Sequence, residues 1–236
     1  MTEIRVLSAG AVQPMVESLG AEFERETGHK LNLNFGTAGA LRERLQAGER
    51  ADLAVLSAAA IAALEKTGLF VPGSRTDVGR TVTGVAVRDG APLPDISTVD
   101  AFKQALLKAR RISYTDPKAG GSSGNFFARL LERLGIAEAV NAKALLRGRG
   151  YEVAQAVASG EADIGTTFVS EILTVKGAKV LGPLPPGIEN VNTYTGAVLA
   201  SSAHRDIAAA LIRKLIDPAT RSRWTAAGLE PAFPAQ

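Results

Sequence analysis

Residues 31–56 read LNLNFGTAGALRERLQAGERADLAVL and contain one complete strand–helix–strand pattern. Leu31–Phe35 alternates apolar and polar residues, which predicts a strand at the edge of a sheet. Ala38–Ala47 carries apolar residues at helical spacing, and Gly48 follows as a residue suited to ending a helix. The nearly continuous apolar run Ala51–Leu56 predicts a buried strand of a parallel sheet.

The same alternation continues on both sides of this segment. A strand at Ile4–Ser8 and a helix at Pro14–Thr27 precede it, and a helix at Ala58–Thr67 follows it. Repeated strand–helix units connect parallel strands by helices that cover the sheet. The chain is therefore predicted to be an α/β protein with a doubly wound sheet.

The second half of the chain restarts the pattern. Strands are expected at Thr81–Val87, Ile112–Thr115, Ala162–Thr167 and Thr193–Ala200, and helices at 97–109, Ser122–Leu134, Tyr151–Ser159, Asp206–Ile216 and Ala219–Ala227. The segments Leu45–Ser57 and Val157–Phe168 share a helix end, a Gly-Glu pair, an aspartate and an apolar strand, which suits two lobes of similar construction. Because the last helices have no sheet of their own to cover, we expect the chain to return to its first lobe. The predicted lobes are 1–82 with 193–236, and an inserted lobe at 83–192.

The composition is that of a globular protein and excludes several functional classes. Hydrophobic residues make up 46%, charged residues 22%, and the formal net charge is +3. This mild charge favours an anionic ligand and is unlike that of nucleic-acid-binding proteins, whose basic residues cluster on one face. With no cysteine, and with His29 and His204 as the two histidines, neither disulfides nor a metal centre is expected. We also expect no cofactor.

The start of the sequence bears on where the protein is located. Met-Thr-Glu-Ile-Arg leads at once into a predicted strand, without the basic leader and apolar segment of a signal peptide. The longest apolar run, around Ala58–Leu64, is too short to span a bilayer. The expectation for the sequence as written is a cytoplasmic protein, or a periplasmic one if a leader has been removed.

Three loops of small residues each join the end of a predicted strand to the start of a helix. They are Ser8–Pro14, Gly36–Ala40 and Ala119–Asn125. The first N–H groups of a helix lack partners inside the helix and carry the positive end of its dipole, so they bind anions. In open α/β sheets ligands bind at this edge. The three loops therefore predict a site for a small anion.

The third loop lies in DPKAGGSSGNFF, Asp116–Phe127, which matches two known motifs in part. A phosphate-binding Walker loop would need a lysine after Gly124, and none follows. Gly120–Gly124 fits the G-x-S-x-G pattern of serine hydrolases, but further residues separate it from the strand, and His204 is the one downstream histidine. A serine nucleophile is thus disfavoured, and Ser122 is expected to cap the helix.

Four segments resemble, in this order, the type 2 periplasmic solute-binding fold: IRVLSAGAVQPMVESLGAEFERETG, LNFGTAGALRERLQAGERADLAVLS, GGSSGNFFARLLERLGI and EADIGTTFVSEIL. The likeness is in particular to the molybdate-binding components of ABC importers and covers nearly the whole chain. It implies two lobes joined by a hinge of two crossings, which close on an anion held by backbone N–H groups and hydroxyls. It also implies a monomer that serves an ABC importer membrane component if the protein is exported.

The chain differs from molybdate binders where they usually place hydroxyl groups. It has Ala11 in the first loop, Thr37-Ala38-Gly39 in place of a serine run, and Phe168 in place of a tyrosine. Since a buried oxyanion needs its donors, this favours an organic carboxylate as the ligand. The residues expected to bind it are Ser8, Ala9, Gly10, Ala11, Thr37, Ala38, Ser122 and Ser123, together with Arg75. Arg75 could pair with a carboxylate in bidentate fashion or be an ordinary surface arginine.

The pattern also resembles a branch of the same superfamily that includes aconitate isomerase. That branch implies a cofactor-independent isomerase of an unsaturated tricarboxylate, which would need a group to move a proton. The main candidate is Glu171, after the strand at Ala162–Thr167; Tyr151, Glu152, Thr166 and Thr167 are the others. Passive anion binding is the preferred interpretation, with the isomerase as the alternative.

Overall fold

The computed structural model describes residues 2–235. The chain divides into two compact units, Met1–Arg80 with Asn192–Gln236, and Thr81–Val191. The chain leaves the first unit after residue 80 and returns to it at residue 192. The sequence-based boundaries lie at 82/83 and 192/193.

Strands and helices alternate through most of the described residues. The strands are β1 Glu3–Ala9, β2 Lys30–Gly36, β3 Leu53–Ser57, β4 Thr76–Arg88, β5 Ile112–Thr115, β6 Ala144–Arg147, β7 Ile164–Phe168, β8 Ala178–Pro183, β9 Val191–Val198 and β10 Glu230–Pro231. The α-helices are α1 Gln13–Thr27, α2 Ala38–Gln46, α3 Ala58–Glu65, α4 Val99–Lys108, α5 Ser122–Arg133, α6 Ala137–Asn141, α7 Gly150–Ala158, α8 Val169–Ile172, α9 Arg205–Leu215 and α10 Arg221–Ala226. Short 3-10 helices lie at Gly10–Val12, Pro117–Ala119 and Pro218–Thr220.

The sheet of the first unit has the strand order β2-β1-β3-β9-β4. β1 is parallel to both β2 and β3, as the strand–helix repeats predict. β9, which brings the chain back, runs antiparallel to β3, and β10 pairs antiparallel with β4. The α/β class is confirmed, and the sheet is mixed because the strands that carry the chain out and back are included in it.

The C-terminal helices complete the core of the first unit. Trp224 of α10 is fully buried, and its indole N–H donates to the carbonyl of Leu215 at 3.0 Å. Its ring occupies the space beside Gly79, where an added Cβ would lie 2.5 Å from the ring. Lys214 of α9 binds Glu26 of α1 at 2.6 Å.

The sheet of the second unit has the order β4-β7-β5-β6, and β8 also pairs with β4. β5 is parallel to β6 and β7, while β4 is antiparallel to β7. The larger core cluster includes Phe102 of α4 and Phe127 of α5. A second cluster, which includes Val157 of α7, packs separately.

Helix ends follow the residues that the sequence offers for them. α1 has Pro14 in its first turn and ends at Gly28, whose φ of 73° is the left-handed conformation that glycine adopts without strain. The elements that sequence reasoning missed are β6, β8, β10, α6 and α8. They are short, and β6 and β8 have no fully buried residue, so neither length nor periodicity marks them. No helix within residues 2–235 is both long and apolar enough to cross a membrane.

Candidate functional site

The carboxyl ends of β1, β2 and β3 lie at one edge of the first unit's sheet, because these strands are parallel. At the end of β1, Ser8, Ala9 and Ala11 are buried and Gly10 is half-buried. The Ser8 hydroxyl makes a long contact of 3.4 Å with the Ala9 carbonyl. No side chain caps the 3-10 helix that follows, so its first N–H groups are not bound by a local side chain.

The second predicted loop begins α2. The Thr37 hydroxyl accepts the N–H of Ala40 at 3.2 Å, and Ala38 is buried. Ser57, at the end of β3, caps α3 in the same way at 3.4 Å. Sequence reasoning did not include Ser57, although a serine directly between an apolar strand and a helix is a signal for a cap.

Arg75 is not brought together with these loops. It forms an ion pair with Glu65 at 3.6 Å, and both side chains are more than a third exposed. The preceding Ser74 accepts the N–H of Val198, which pairs with Leu53 at the start of β3. Arg75 therefore lies toward the amino ends of the strands, away from the carboxyl edge where the loops begin.

In the second unit, the first turn of α5 sits directly against the end of β5. A Cβ added to Gly124 would lie 2.1 Å from the carbonyl oxygen of Thr115. Ser123 is buried, and its hydroxyl is 3.5 Å from that of Thr115. The glycine in GGSSGN is thus required by this close approach, which brings the α5 N–H groups to the edge of the sheet.

The residue that caps α5 differs from the prediction. Gly121 occupies the N-cap position, and the half-buried Ser122 is the first helical residue. Gly120 just before it has a φ of 73° and ends the short 3-10 helix. The tight left-handed turn shifts the helix start by one residue, so no side chain caps α5. Its first N–H groups therefore remain suited to an external anion.

Glu171 has a carboxylate that accepts three hydrogen bonds and whose pKa is raised. The Thr167 hydroxyl donates to its carboxylate at 2.7 Å, and the backbone N–H groups of Phe168 and Gly150 also donate to it. Gly150 begins α7, and a Cβ there would lie 1.8 Å from the carboxylate oxygen. The carboxylate of Glu171 can approach the start of α7 this closely because residue 150 is glycine.

Burial raises the pKa of Glu171 from 4.5 to about 6, because desolvation outweighs the three hydrogen bonds that favour the charged form. A folded-state pKa above the unfolded value means that the folded protein binds more protons between these two pH values. The contribution of Glu171 to stability is therefore fully present below pH 4.5 and is lost as the pH rises through about 6.

We expect Glu171→Gln to remove this pH dependence. The difference between 4.5 and about 6 corresponds to about 2 kcal/mol. Relative to the original protein, the variant should therefore gain about 2 kcal/mol of unfolding free energy between pH 4 and pH 8. Urea unfolding at both pH values measures this double difference. A difference that stays constant with pH would mean that Glu171 ionises as freely in the folded protein as in the unfolded chain.

Among the other candidates for proton transfer, Glu152 has a capping role and the Thr166 hydroxyl has no hydrogen-bond partner in the described part of the chain. The Glu152 carboxylate accepts the N–H of Arg149 at 3.0 Å and so helps to cap α7. Tyr151 is half-buried. Thr166 is fully buried, and its hydroxyl has no hydrogen-bond partner among the described residues. Within residues 2–235 no cluster of three His, Asp or Glu side chains could hold a metal ion.

The uncapped α5 start and the Glu171 carboxylate share one edge of the second unit. β5 and β7 are parallel neighbours in register, with Tyr114 opposite Thr166. The next residues, Thr115 and Thr167, are therefore about 5 Å apart at the carboxyl edge. One contacts Ser123 and the other binds Glu171. This edge thus combines helix N–H groups that no side chain caps with a carboxylate whose pKa is raised to about 6.

Comparisons with known proteins give the same fold. The bacterial extracellular solute-binding protein family matches residues 4–230. Aconitate isomerase from Pseudomonas sp. is 34% identical over 100% of the chain and 90% of that protein. The molybdate-binding protein ModA of Azotobacter vinelandii is 31% identical over 76% of the chain and 69% of its own length.

Among solved structures, the sulfate-binding protein SubI of Mycobacterium tuberculosis superposes with a TM-score of 0.79 at 20% identity, covering 99% of this chain and 88% of that one. An identity this low supports the fold only. The family match, by contrast, extends over nearly the whole chain, as did the resemblance seen in the sequence. The chain therefore belongs to the bacterial extracellular solute-binding proteins, with the type 2 periplasmic binding fold and a likeness to their molybdate-binding members.

Proposed function

We propose that this protein binds a small organic acid with several carboxylates, using loops at the carboxyl ends of the strands. The observation that carries this proposal is the Glu171 carboxylate at the anion-binding edge of the second unit. At a separation of about 5 Å and an effective dielectric constant of about 20, each pair of like charges costs roughly 3 kcal/mol. A compact dianion placed near Glu171 would meet this cost twice.

An organic acid avoids that repulsion because its charges are separated by carbon atoms. It can place a carboxylate on the uncapped N–H groups of α5 and present a C–H or O–H group to Glu171. The extended similarity to aconitate isomerase, whose named substrate is a tricarboxylate, supports the same ligand class. The alanines at positions 9, 11 and 38 offer no hydroxyl donors of the kind that an inorganic oxyanion would need.

A panel of ligands tests this proposal. Melting temperatures are measured with citrate, cis- and trans-aconitate and tricarballylate, against molybdate, tungstate and sulfate. A ligand that binds the folded state at 100 times its Kd adds about 2.7 kcal/mol of stability. We expect the tricarboxylates to raise the melting temperature and the inorganic oxyanions to leave it unchanged. Stabilisation by molybdate or by neutral sugars only would contradict the proposal.

A second function, isomerisation of the bound acid, is favoured by the state of Glu171. A pKa near 6 leaves this carboxylate ready to accept a proton near neutral pH and to return it. The carboxylate would take a proton from a carbon next to a carboxylate of the substrate. The electron pair would shift along the allylic system, and the proton would return at its other end. No oxidant, reductant or cofactor enters the balance.

Proton NMR decides between the two functions. Purified protein is incubated with cis-aconitate, and the vinyl proton signals of the cis and trans isomers are followed over time. Protein-dependent formation of the trans isomer supports the isomerase. Binding that raises the melting temperature without any conversion supports a passive receptor.

The partner protein and the cellular location depend on whether the protein is a passive receptor or an isomerase. A passive receptor would work outside the cytoplasmic membrane and deliver its ligand to an ABC importer, whereas an isomerase needs no importer. We propose a monomeric cytoplasmic protein for the sequence as written, and a periplasmic one if a leader is removed. Fractionation of the source bacterium with immunodetection tests the location, and light scattering tests the oligomeric state. Dimers, or protein found in the periplasm without removal of a leader, would contradict the proposal.

A further inference from the structure

Arg42 in α2 stands out among the basic residues of the first unit. It is half-buried, and its Nε is shielded from solvent without a hydrogen-bond acceptor in residues 2–235. Two residues later, Arg44 holds Glu49 with two hydrogen bonds of 2.5 and 2.6 Å. The same helix therefore carries one arginine whose Nε is paired and one whose Nε is not.

An unpaired buried guanidinium donor is unfavourable, because arginine keeps its charge and loses hydration without gaining an acceptor. Buried polar groups in native proteins are nearly always paired, so an exception requires an explanation. Arg75 of the same unit, by contrast, is paired with the Glu65 carboxylate. An acceptor supplied by a ligand accounts for Arg42.

The position of Arg42 in α2 supports this explanation. α2 follows β2 at the carboxyl edge, and Thr37 caps it there. Ala38, Leu41 and Leu45 face the core. Arg42 is four residues into the helix, a rise of about 6 Å, and helical side chains lean toward the N-terminus. Its guanidinium group can therefore reach the level of the loop that contains Thr37 and Ala38.

Asn192 supplies a second, independent observation at the same edge. Its side-chain N–H₂ group is buried and has no partner among the described residues. β9 runs antiparallel to β3 with Tyr194 opposite Ser57, the last residue of β3. Asn192 thus lies two positions beyond the carboxyl end of β3. Two unpaired buried donors, one on a helix and one on a strand, are found toward this edge of the first unit.

We propose that Arg42 recognises a carboxylate of the ligand through a bidentate hydrogen-bonded pair, and that Asn192 donates a further hydrogen bond to the ligand. Arg42, and not Arg75, is then the arginine that selects a carboxylate. The planar fork of a guanidinium group matches a carboxylate in geometry and charge. This inference rests on the proposed binding of an organic acid and names the residues that make the first unit specific for it.

Titration calorimetry with tricarballylate and citrate tests the proposal. Arg42→Gln should weaken binding by roughly 30-fold or more, the usual effect of removing one partner of a buried charge pair. Arg42→Lys should lose less, because it keeps the charge but not the fork. Asn192→Ala should weaken binding by roughly 5- to 10-fold, the effect of one hydrogen bond. Arg50→Gln, at an exposed arginine just after α2, is the matched control and should bind like the original protein.

The melting temperature of the ligand-free variants separates a binding role from a structural one. Because the shielded Nε–H of the half-buried Arg42 has no acceptor, its removal should leave the melting temperature of Arg42→Gln equal to or above that of the original protein. A clear fall in that temperature would show that Arg42 stabilises the fold, and would overturn the proposal. Normal tricarboxylate binding by Arg42→Gln would overturn it as well, with the proposed function intact. If the original protein binds no tricarboxylate, the proposed function and the proposed role of Arg42 are both wrong.

Discussion

Gly124→Ala is expected to lower the free energy of unfolding by about 3 kcal/mol, at the upper end of the range for overpacked positions. The added Cβ would lie 2.1 Å from the carbonyl oxygen of Thr115 and 2.8 Å from its carbonyl carbon. Both are backbone atoms at the end of β5, so no side-chain rotation relieves the contact. The start of α5 would have to move away from the sheet, and with it the N–H groups proposed to bind the ligand.

Urea unfolding followed by circular dichroism measures this effect, and Gly148→Ala is its matched control. At residue 148 the nearest atom to an added Cβ is the Glu152 carboxylate oxygen at 3.4 Å, an ordinary contact. The backbone there has no positive φ, so this change should stay within about 0.5 kcal/mol of the original protein. Equal stabilities for the two variants would mean that α5 does not approach β5 this closely.

The fold was predictable because its signals are local in the sequence. The helix at Ala38–Gln46 is bounded by a cap at Thr37 and by small residues after its last turn. The buried strand Leu53–Ser57 has no exposed residue, and its apolar run is visible in the sequence. β6 could not be found in this way, because Ala144–Arg147 is four residues long and partly exposed throughout.

The candidate site was less predictable because it depends on tertiary contacts. The sequence identified Thr167 near the end of a strand and Glu171 four residues later, but not Gly150, which approaches them from α7. The unpaired state of Arg42 likewise appears only when all possible partners are placed. Arg75 carries the same chemistry as Arg42, yet it is the one that has a partner. Residue type predicts chemistry, whereas pairing is a property of the folded chain.

If the protein isomerises cis-aconitate, Glu171→Gln is expected to lower the rate by about 10²- to 10⁴-fold at pH 7, the usual effect of losing a general base. Glutamine is close to glutamate in size and can still accept a hydrogen bond from Thr167, but it cannot take a proton from carbon. Affinity for tricarballylate, which has no double bond to shift, should stay within about threefold. Proton NMR measures the rate and calorimetry the affinity.

The pH profile of the isomerisation separates proton transfer by Glu171 from mere positioning. With Glu171 as the base, kcat/KM should rise with pH through about 6, the pKa of the buried carboxyl group. Thr167→Val removes a hydrogen bond that favours the charged carboxylate, so it should raise this pKa and move the rise in kcat/KM to higher pH. A residue that only positions the substrate would change the height of the profile and not its midpoint. An unmoved midpoint in Thr167→Val, or full activity in Glu171→Gln, would assign the proton transfer to another group.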